Sequence, residues 1–194
     1  MAEIPNTPTT PAYEARLIER ARQHDPVAFE RLVGACAPDL QRTLRRITGT
    51  AAEAEDVLQE TLLKAWRAIA SFRGDARFST WLYRIAVNES RRRRAYNARR
   101  PSLSIDDVLR ELPDLADGPA ARVESDEMAA FLERCVGELP DHYREAVVLR
   151  DVEDLSNDEA AAVLELDVRN FKSRLHRGRM EIRRRIEDEY GMKA

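Results

Sequence analysis

The chain has 194 residues, 43% hydrophobic and 35% charged, with 7 glycines, 6% aromatics and a formal net charge of −3. That allows one ordinary domain or two small ones with a core, and the abundance of Ala, Leu, Arg and Glu favours helices over a sheet sandwich or barrel. No apolar stretch approaches the roughly 18 residues of a membrane span, no signal pattern opens the chain, and Cys36 and Cys135 sit in no CxxC or Cys/His cluster, so the expectation is a soluble cytoplasmic protein with no disulfide framework, metal or cofactor.

Residues 1–11 are rich in Pro and Thr without periodicity and are expected to form a disordered tail. A short helix is predicted over Tyr13 to Arg22, with Leu17, Ile18 and Ala21 on one face. Asp25-Pro26 reads as the next start, since a carboxylate caps free amides and proline suits the first helical position. Phe29, Leu32, Val33, Cys36, Leu40, Leu44 and Ile47 then form a core-facing stripe, with Pro38 placed to kink or divide the helix before Gly49 ends it. Thr50 and Glu53 make a capping box for a helix to about Ala70. Phe72 to Asp75 reads as a loop, and a further helix carries Trp81, Leu82, Ile85 and Ala86 until the apolar pattern stops at Arg91–Arg94. Residues 101–124, with three prolines and a glycine, read as a linker, with a helical turn expected at Asp107–Glu111. A second unit is predicted from a cap at Ser125; Gly137 stops its first helix and Pro140 starts another, with Ala146, Val147 and Leu149 buried. The cysteines fall on apolar stripes, as packing residues would.

Charge is unevenly placed. Arg77 to Arg100 holds eight basic residues and one acid, a net of +7; Val168 to Arg185 holds eight and one again, also +7; Ser104 to Glu127 between them holds eight acids and two arginines, a net of −6. Two basic blocks joined by an acidic strip suggest two polyanion-binding units, the alternative being Arg-rich helix faces that are merely solvated.

Near the C-terminus, Ser156 and Glu159 form a capping box for a helix over Asn157–Leu164. The four residues Glu165 to Val168 lead to a longer basic helix, an arrangement that places the second helix in a major groove. Ala161, Val163, Leu164, Leu166, Phe171 and Leu175 would pack the pair, leaving Arg169, Asn170, Lys172, Ser173, His176 and Arg177 for DNA. Arginine and lysine suit phosphates or guanine edges, and asparagine suits adenine. A helical hairpin that binds another protein is the plainer alternative.

In the first basic block, FRGDARFSTWLYRIAVN (Phe72 to Asn88) mixes aromatics, arginines and small polar residues. Phe78, Trp81 and Tyr83 are spaced so that not all face one core, and exposed aromatics on a basic surface suit single-stranded DNA. The alternative is that Phe78 and Trp81 are core anchors, and for Trp81 the core is the expected place.

This segment, together with DVLQETLLKAWRAI before it and LSNDEAAAVLELDVRNFKSRLHRGR after it, resembles the extracytoplasmic-function sigma factors of bacterial RNA polymerase over roughly residues 24–188. The resemblance implies an all-α fold of two small helical domains, a sigma region 2 bundle (12–100) and a sigma region 4 helix-turn-helix domain (125–190), on a flexible linker (101–124). Region 2 would bind and help open the −10 promoter element and region 4 would bind the −35 element as a duplex. By position, Asp75, Ala76, Arg77 and Phe78 match the family's pocket for a flipped non-template base, and Arg84 and Asn88 its −10-facing surface. Asp56, Gln59 and Glu60, at i, i+3 and i+4, share a face on the helix that would grip core polymerase. Implied partners are core RNA polymerase, promoter DNA as duplex and as single non-template strand, and an anti-sigma factor, with no membrane insertion and no catalytic residues. Glu165 stands where the family often has a small turn residue, and Gly178 within the recognition helix is expected to cost roughly 1 kcal/mol of helix propensity. A decoy that sequesters an anti-sigma factor, or a simple helix-turn-helix regulator, are the alternatives.

Overall fold

The computed structural model describes residues 11–99 and 123–191. The expected tail, the helical turn at Asp107–Glu111 and the linker lie outside the described residues, except that Pro11 already opens the first helix and Val123 and Glu124 open the fifth. Among the described residues there is no strand, and no helix is long and apolar enough to cross a membrane.

Helix α1 (Pro11–Arg22) turns at Asp25, whose Oδ1 accepts from the amides of Val27 (3.0 Å) and Ala28 (3.2 Å) and starts α2 (Pro26–Thr48). Helix α2 is continuous through Pro38, which therefore does not divide it. Gly49, at φ 90°, returns its amide to the Arg45 carbonyl and ends the helix. Thr50 caps α3 (Ala51–Ala68) by accepting from the Glu53 amide (3.2 Å), as expected. The Glu53 carboxylate turns instead to Asn97 (3.1 Å), so the reciprocal half of the predicted box is diverted to a neighbouring helix. A 3₁₀ turn (Ile69–Ser71) and a loop then lead to α4 (Phe78–Ala98).

The second unit opens with α5 (Val123–Gly137), two residues before the expected cap Ser125, which lies inside the helix. Pro140 precedes α6 (Asp141–Val147), which widens into a π turn (Val148–Val152). The box at Ser156 forms both ways: Glu159 N donates to Ser156 Oγ (3.2 Å) and Ser156 N to the Glu159 carboxylate (2.9 Å), opening α7 (Asn157–Leu164). Helix α8 (Val168–Tyr190) is capped by Asp167, which accepts from the Asn170 amide (2.9 Å).

Leu40, Leu44, Ile47, Val57, Leu82 and Val87 fill the first core, and Leu149, Val163, Leu164 and Phe171 the second, all buried. The two cores are continuous: α4 packs on α7, and α2 meets α5, α6 and the π turn. Gly178 lies where α8 passes α6. A Cβ there would stand 2.7 Å from Val147 Cγ2 and 3.4 Å from Tyr143, so this glycine permits the close approach of two helices and is more than a weakness in the recognition helix.

Candidate nucleic-acid interface

Asp75 and Ala76 lie in the loop before α4, Arg77 forms the extended residue that precedes the helix, and Gly74 takes φ 81° at the loop's bend. With Trp81 and Arg84 from the first two turns of α4, Asp75 and Ala76 line a cavity of about 250 Å³. Arg84 is exposed and, among the described residues, enters no ion pair. Asn88, one turn on, is exposed beside it. Thr80 also lines the cavity; it is 3% exposed, and its hydroxyl has no hydrogen-bond partner among the described residues. Thr80 escapes a reading from sequence because its only signal is a place in the first turn of a helix whose start is itself uncertain.

The aromatics behave differently from the expectation of a stacking surface. Phe78 is 2% exposed and sits edge-on to Phe29 and Phe72 (ring centroids 6.4 and 6.1 Å), so it supports the loop from the core and does not line the cavity. Trp81 is half-buried against Phe72 and Phe78. Tyr83 is buried as well; burial, and then its hydrogen bond to Glu153, push the phenol up from its ordinary value. All three can face inward because the core of this unit continues into the next, where Tyr83 points.

The arginine run is also committed. Arg91 and Arg94 both bind Glu145 (2.6 and 2.5 Å), Arg92 binds Glu89 and Arg93 binds Asp56. A charge count along the chain reads these four as a polyanion surface; their guanidinium groups are instead engaged by carboxylates of α3, α4 and α6.

On α8 the expectation and the geometry agree. Phe171 and Leu175 turn inward, while Arg169, Asn170, Lys172, Ser173, His176 and Arg177 are all exposed along one side. Among the described residues Arg169, Lys172 and Arg177 enter no ion pair, whereas Arg179, Arg183, Arg184 and Arg185 further along are paired with Asp151, Glu187, Glu181 and Glu138. Asn170 gives its side-chain amide to Asp167 (2.5 Å). Glu165 makes the turn at φ 57°, ψ 44°, a left-handed conformation in a non-glycine residue, and Leu166 N closes the helix end on the Ala161 carbonyl (2.9 Å). The result is a short helix, a tight turn and a second helix whose outward face begins with unneutralised cations, suited to phosphates and base edges of a duplex.

On α3, Asp56, Gln59 and Glu60 are exposed together, opposite the buried Ala54, Val57 and Thr61. Asp56 is tied to Arg93.

Family models agree with this division: Sigma-70 region 2 matches residues 32–100 and Sigma-70, region 4 matches residues 132–182. The chain is 35% identical over 182 residues to the RNA polymerase sigma-H factor of Pseudomonas aeruginosa, covering 89% of this chain and 93% of that one. It is 34% identical over 179 residues to the ECF RNA polymerase sigma-E factor of Escherichia coli K12, covering 88% and 93%. Among solved structures it is similar to CnrH in complex with the cytosolic domain of CnrY (TM-score 0.64, 28% identity, 91% of this chain and 98% of that one). A similar fold is seen in the sigma factor RpoE in complex with the anti-sigma factor NepR from Bartonella quintana (TM-score 0.63, 24% identity, 83% and 98%). With its capped helix-turn-helix, its α4 loop and these relatives along nearly the whole length, the chain belongs to the extracytoplasmic-function sigma factors of bacterial RNA polymerase.

Proposed function

We propose that the chain directs core RNA polymerase to promoters through two surfaces, a region 2 unit over residues 12–100 and a region 4 unit over 125–190. The observation that carries the reading is the α8 face: six exposed side chains after a capped turn, three of them cations without a carboxylate partner among the described residues. Arg169, Asn170, Lys172, Ser173, His176 and Arg177 serve the −35 duplex. Asp75, Ala76, Arg77, Arg84 and Asn88 serve the −10 element, with Phe78 acting from beneath as the support of the loop. Thr80 adds a hydroxyl at the cavity where a flipped base would enter. Unstacking a base costs a few kcal/mol, which pocket contacts must offset. Anchoring by the duplex-binding unit raises the local concentration of the other, so neither surface needs high affinity alone.

Asp56, Gln59 and Glu60 are the polar contacts of α3 with the polymerase. Nucleotide addition is left to the polymerase, and the chain acts beside it in the cytoplasm as an initiation factor rather than an enzyme. An anti-sigma factor is the regulatory partner, in keeping with the fold shared with RpoE in its NepR complex.

Run-off transcription with bacterial core polymerase on a promoter library, followed by sequencing of transcript starts, tests this. Starts that share paired upstream elements and are lost with Asn88→Ala or Lys172→Ala are expected. A folded protein that fails to bind core polymerase refutes the proposal and leaves the decoy or the simple DNA-binding regulator.

A further inference from the structure

The two helices of the helix-turn-helix start differently. At α7 the third helical residue, Glu159, accepts from the backbone amide of the cap Ser156 (2.9 Å). At α8 the third residue is Asn170, and its side chain turns to the side chain of the cap instead. Asp167 Oδ1 accepts from the Asn170 backbone amide (2.9 Å), and Asp167 Oδ2 accepts from Asn170 Nδ2 (2.5 Å). Asp167 is exposed and enters no ion pair among the described residues, so both of its oxygens serve Asn170.

A carboxylate only accepts hydrogen bonds, so the nitrogen of the Asn170 amide has to face Asp167. Its carbonyl oxygen is left outward on an exposed residue, without a partner among the described residues. A free asparagine offers either edge of its amide, because rotation about the last torsion exchanges nitrogen and oxygen. The bond to Asp167 removes that choice. Asn170 stands in the first turn of the second helix, the part that reaches base edges in a major groove, with the exposed cations Arg169 and Lys172 on either side.

We infer that Asp167 is a positioning residue for −35 readout: it fixes Asn170 with an acceptor outward, so that the chain selects an amino base, adenine or cytosine, on the contacted strand. The inference rests on the assignment of the α8 face to the −35 duplex. In the major groove adenine N6 and cytosine N4 donate, whereas guanine O6 and thymine O4 accept. Each base pair carries one amino group there, so the selection decides which strand holds the amino base. Asp167 acts through Asn170 and not by its own contact with a base.

The test is run-off transcription by core polymerase carrying the full chain, on promoters randomised across the −35 element, with the transcribed templates sequenced. Asn170→Ala identifies the position it reads, by losing the preference there alone. At that position the wild type should enrich adenine or cytosine over guanine or thymine about fivefold, the discrimination supplied by one net hydrogen bond. Asp167→Asn keeps the shape of the cap. Its oxygen serves the backbone amide, while its nitrogen donates to Asn170, whose amide turns over and presents a donor. The preference should then move toward guanine or thymine. Asp167→Ser keeps a good cap but has no second acceptor, and should flatten the preference. A cap with a structural role alone would weaken selection at every −35 position together and would not change the base chosen at one.

An unchanged preference at the Asn170 position in both Asp167 variants overturns the inference. So does a uniform loss across the element, or a wild-type preference for guanine or thymine at that position. If Asn170→Ala alters no position while Lys172→Ala and Arg177→Ala still abolish initiation from the selected promoters, the inference falls and the assignment of α8 stands. If those two replacements leave initiation and the selected −35 sequence as they were, the assignment falls with it.

Discussion

Gly178→Ala sets two known effects against each other in one helix. In a helix interior alanine is favoured over glycine by about 1 kcal/mol, so on propensity alone the substitution stabilises. Its methyl group, however, would stand 2.7 Å from Val147 Cγ2 and 3.4 Å from both the Cβ and the carbonyl oxygen of Tyr143. Val147 is 3% exposed within the core, and the Tyr143 atoms belong to or adjoin the α6 backbone, so neither side yields without moving a helix. Overpacking of this kind costs about 1–3 kcal/mol. A displacement of whole helices belongs near the upper end, leaving a net loss of about 1–2 kcal/mol after the propensity gain is subtracted. For a chain of this size that lowers the melting temperature by about 2–8 °C. Gly34→Ala is the internal comparison: it lies exposed inside α2 with nothing within 4 Å of the added atom, so it should gain about 0.5–1 kcal/mol. Urea and thermal unfolding followed by circular dichroism measure both. If Gly178→Ala stabilises as Gly34→Ala does, the close approach of α6 and α8 is not what the glycine serves, and the reasoning fails.

The other predictions concern charge and reactivity. Lys172→Ala and Arg177→Ala should each weaken duplex binding and lower the slope of log affinity against log salt by about one, whereas Arg179→Ala, whose guanidinium is held by Asp151, should change the slope less; equal slopes in titrations at several salt concentrations would contradict this. Burial opposes the charge on Glu89, but Arg92 and Lys64 outweigh it and hold the carboxyl below its ordinary value of 4.5. Its contribution is therefore present above that value and lost as pH falls through the depressed folded one, so Glu89→Gln should flatten the acid side of a stability–pH curve, and an unchanged acid side would count against the pairing. Burial pushes the Cys36 thiol up to about 12, with Asp39 and Glu14 adding to the effect, so iodoacetamide should alkylate the folded protein slowly at pH 8; rapid modification of Cys36 would point to a reactive thiol.

Local signals in the chain announce local structure. Asp25, Ser156 and Gly49 could be read as helix ends because a cap is a bargain struck within three or four residues. Glu53 shows the limit of that reading: the local motif offers its carboxylate to Thr50, but Asn97, 44 positions away, holds it. Pro38 shows another, since a proline inside α2 leaves the helix undivided when the surrounding packing holds it. The aromatics of Phe72–Asn88 were legible as a group but not in orientation. Period counting assumes one core per helix, and α4 has two, one toward α2 and α3 and one toward α7, so Phe78 and Tyr83 are both buried on different sides.

The charge blocks carry this further. A count along the chain treats each arginine as available, yet availability is fixed by carboxylates that fold beside it. In α8 the count of +7 divides by position: Arg169, Lys172, Arg174 and Arg177 in the first three turns enter no ion pair among the described residues, while those beyond Gly178 are matched by Asp151, Glu138 and acids of α8 itself. In α4 the four consecutive arginines that dominate the count are matched by Glu145, Glu89 and Asp56, leaving Arg84, beside Arg73 of the preceding loop, as an exposed cation of the cavity. The two equal blocks therefore differ in kind. On the proposed function, one presents charge to a duplex, where counterion release makes charge itself the source of affinity. The other commits the charge of its arginine run inside the fold, partly within α3 and α4 and partly across to Glu145 of α6, so on the proposed function recognition at α4 rests on the loop, the cavity and one amide side chain.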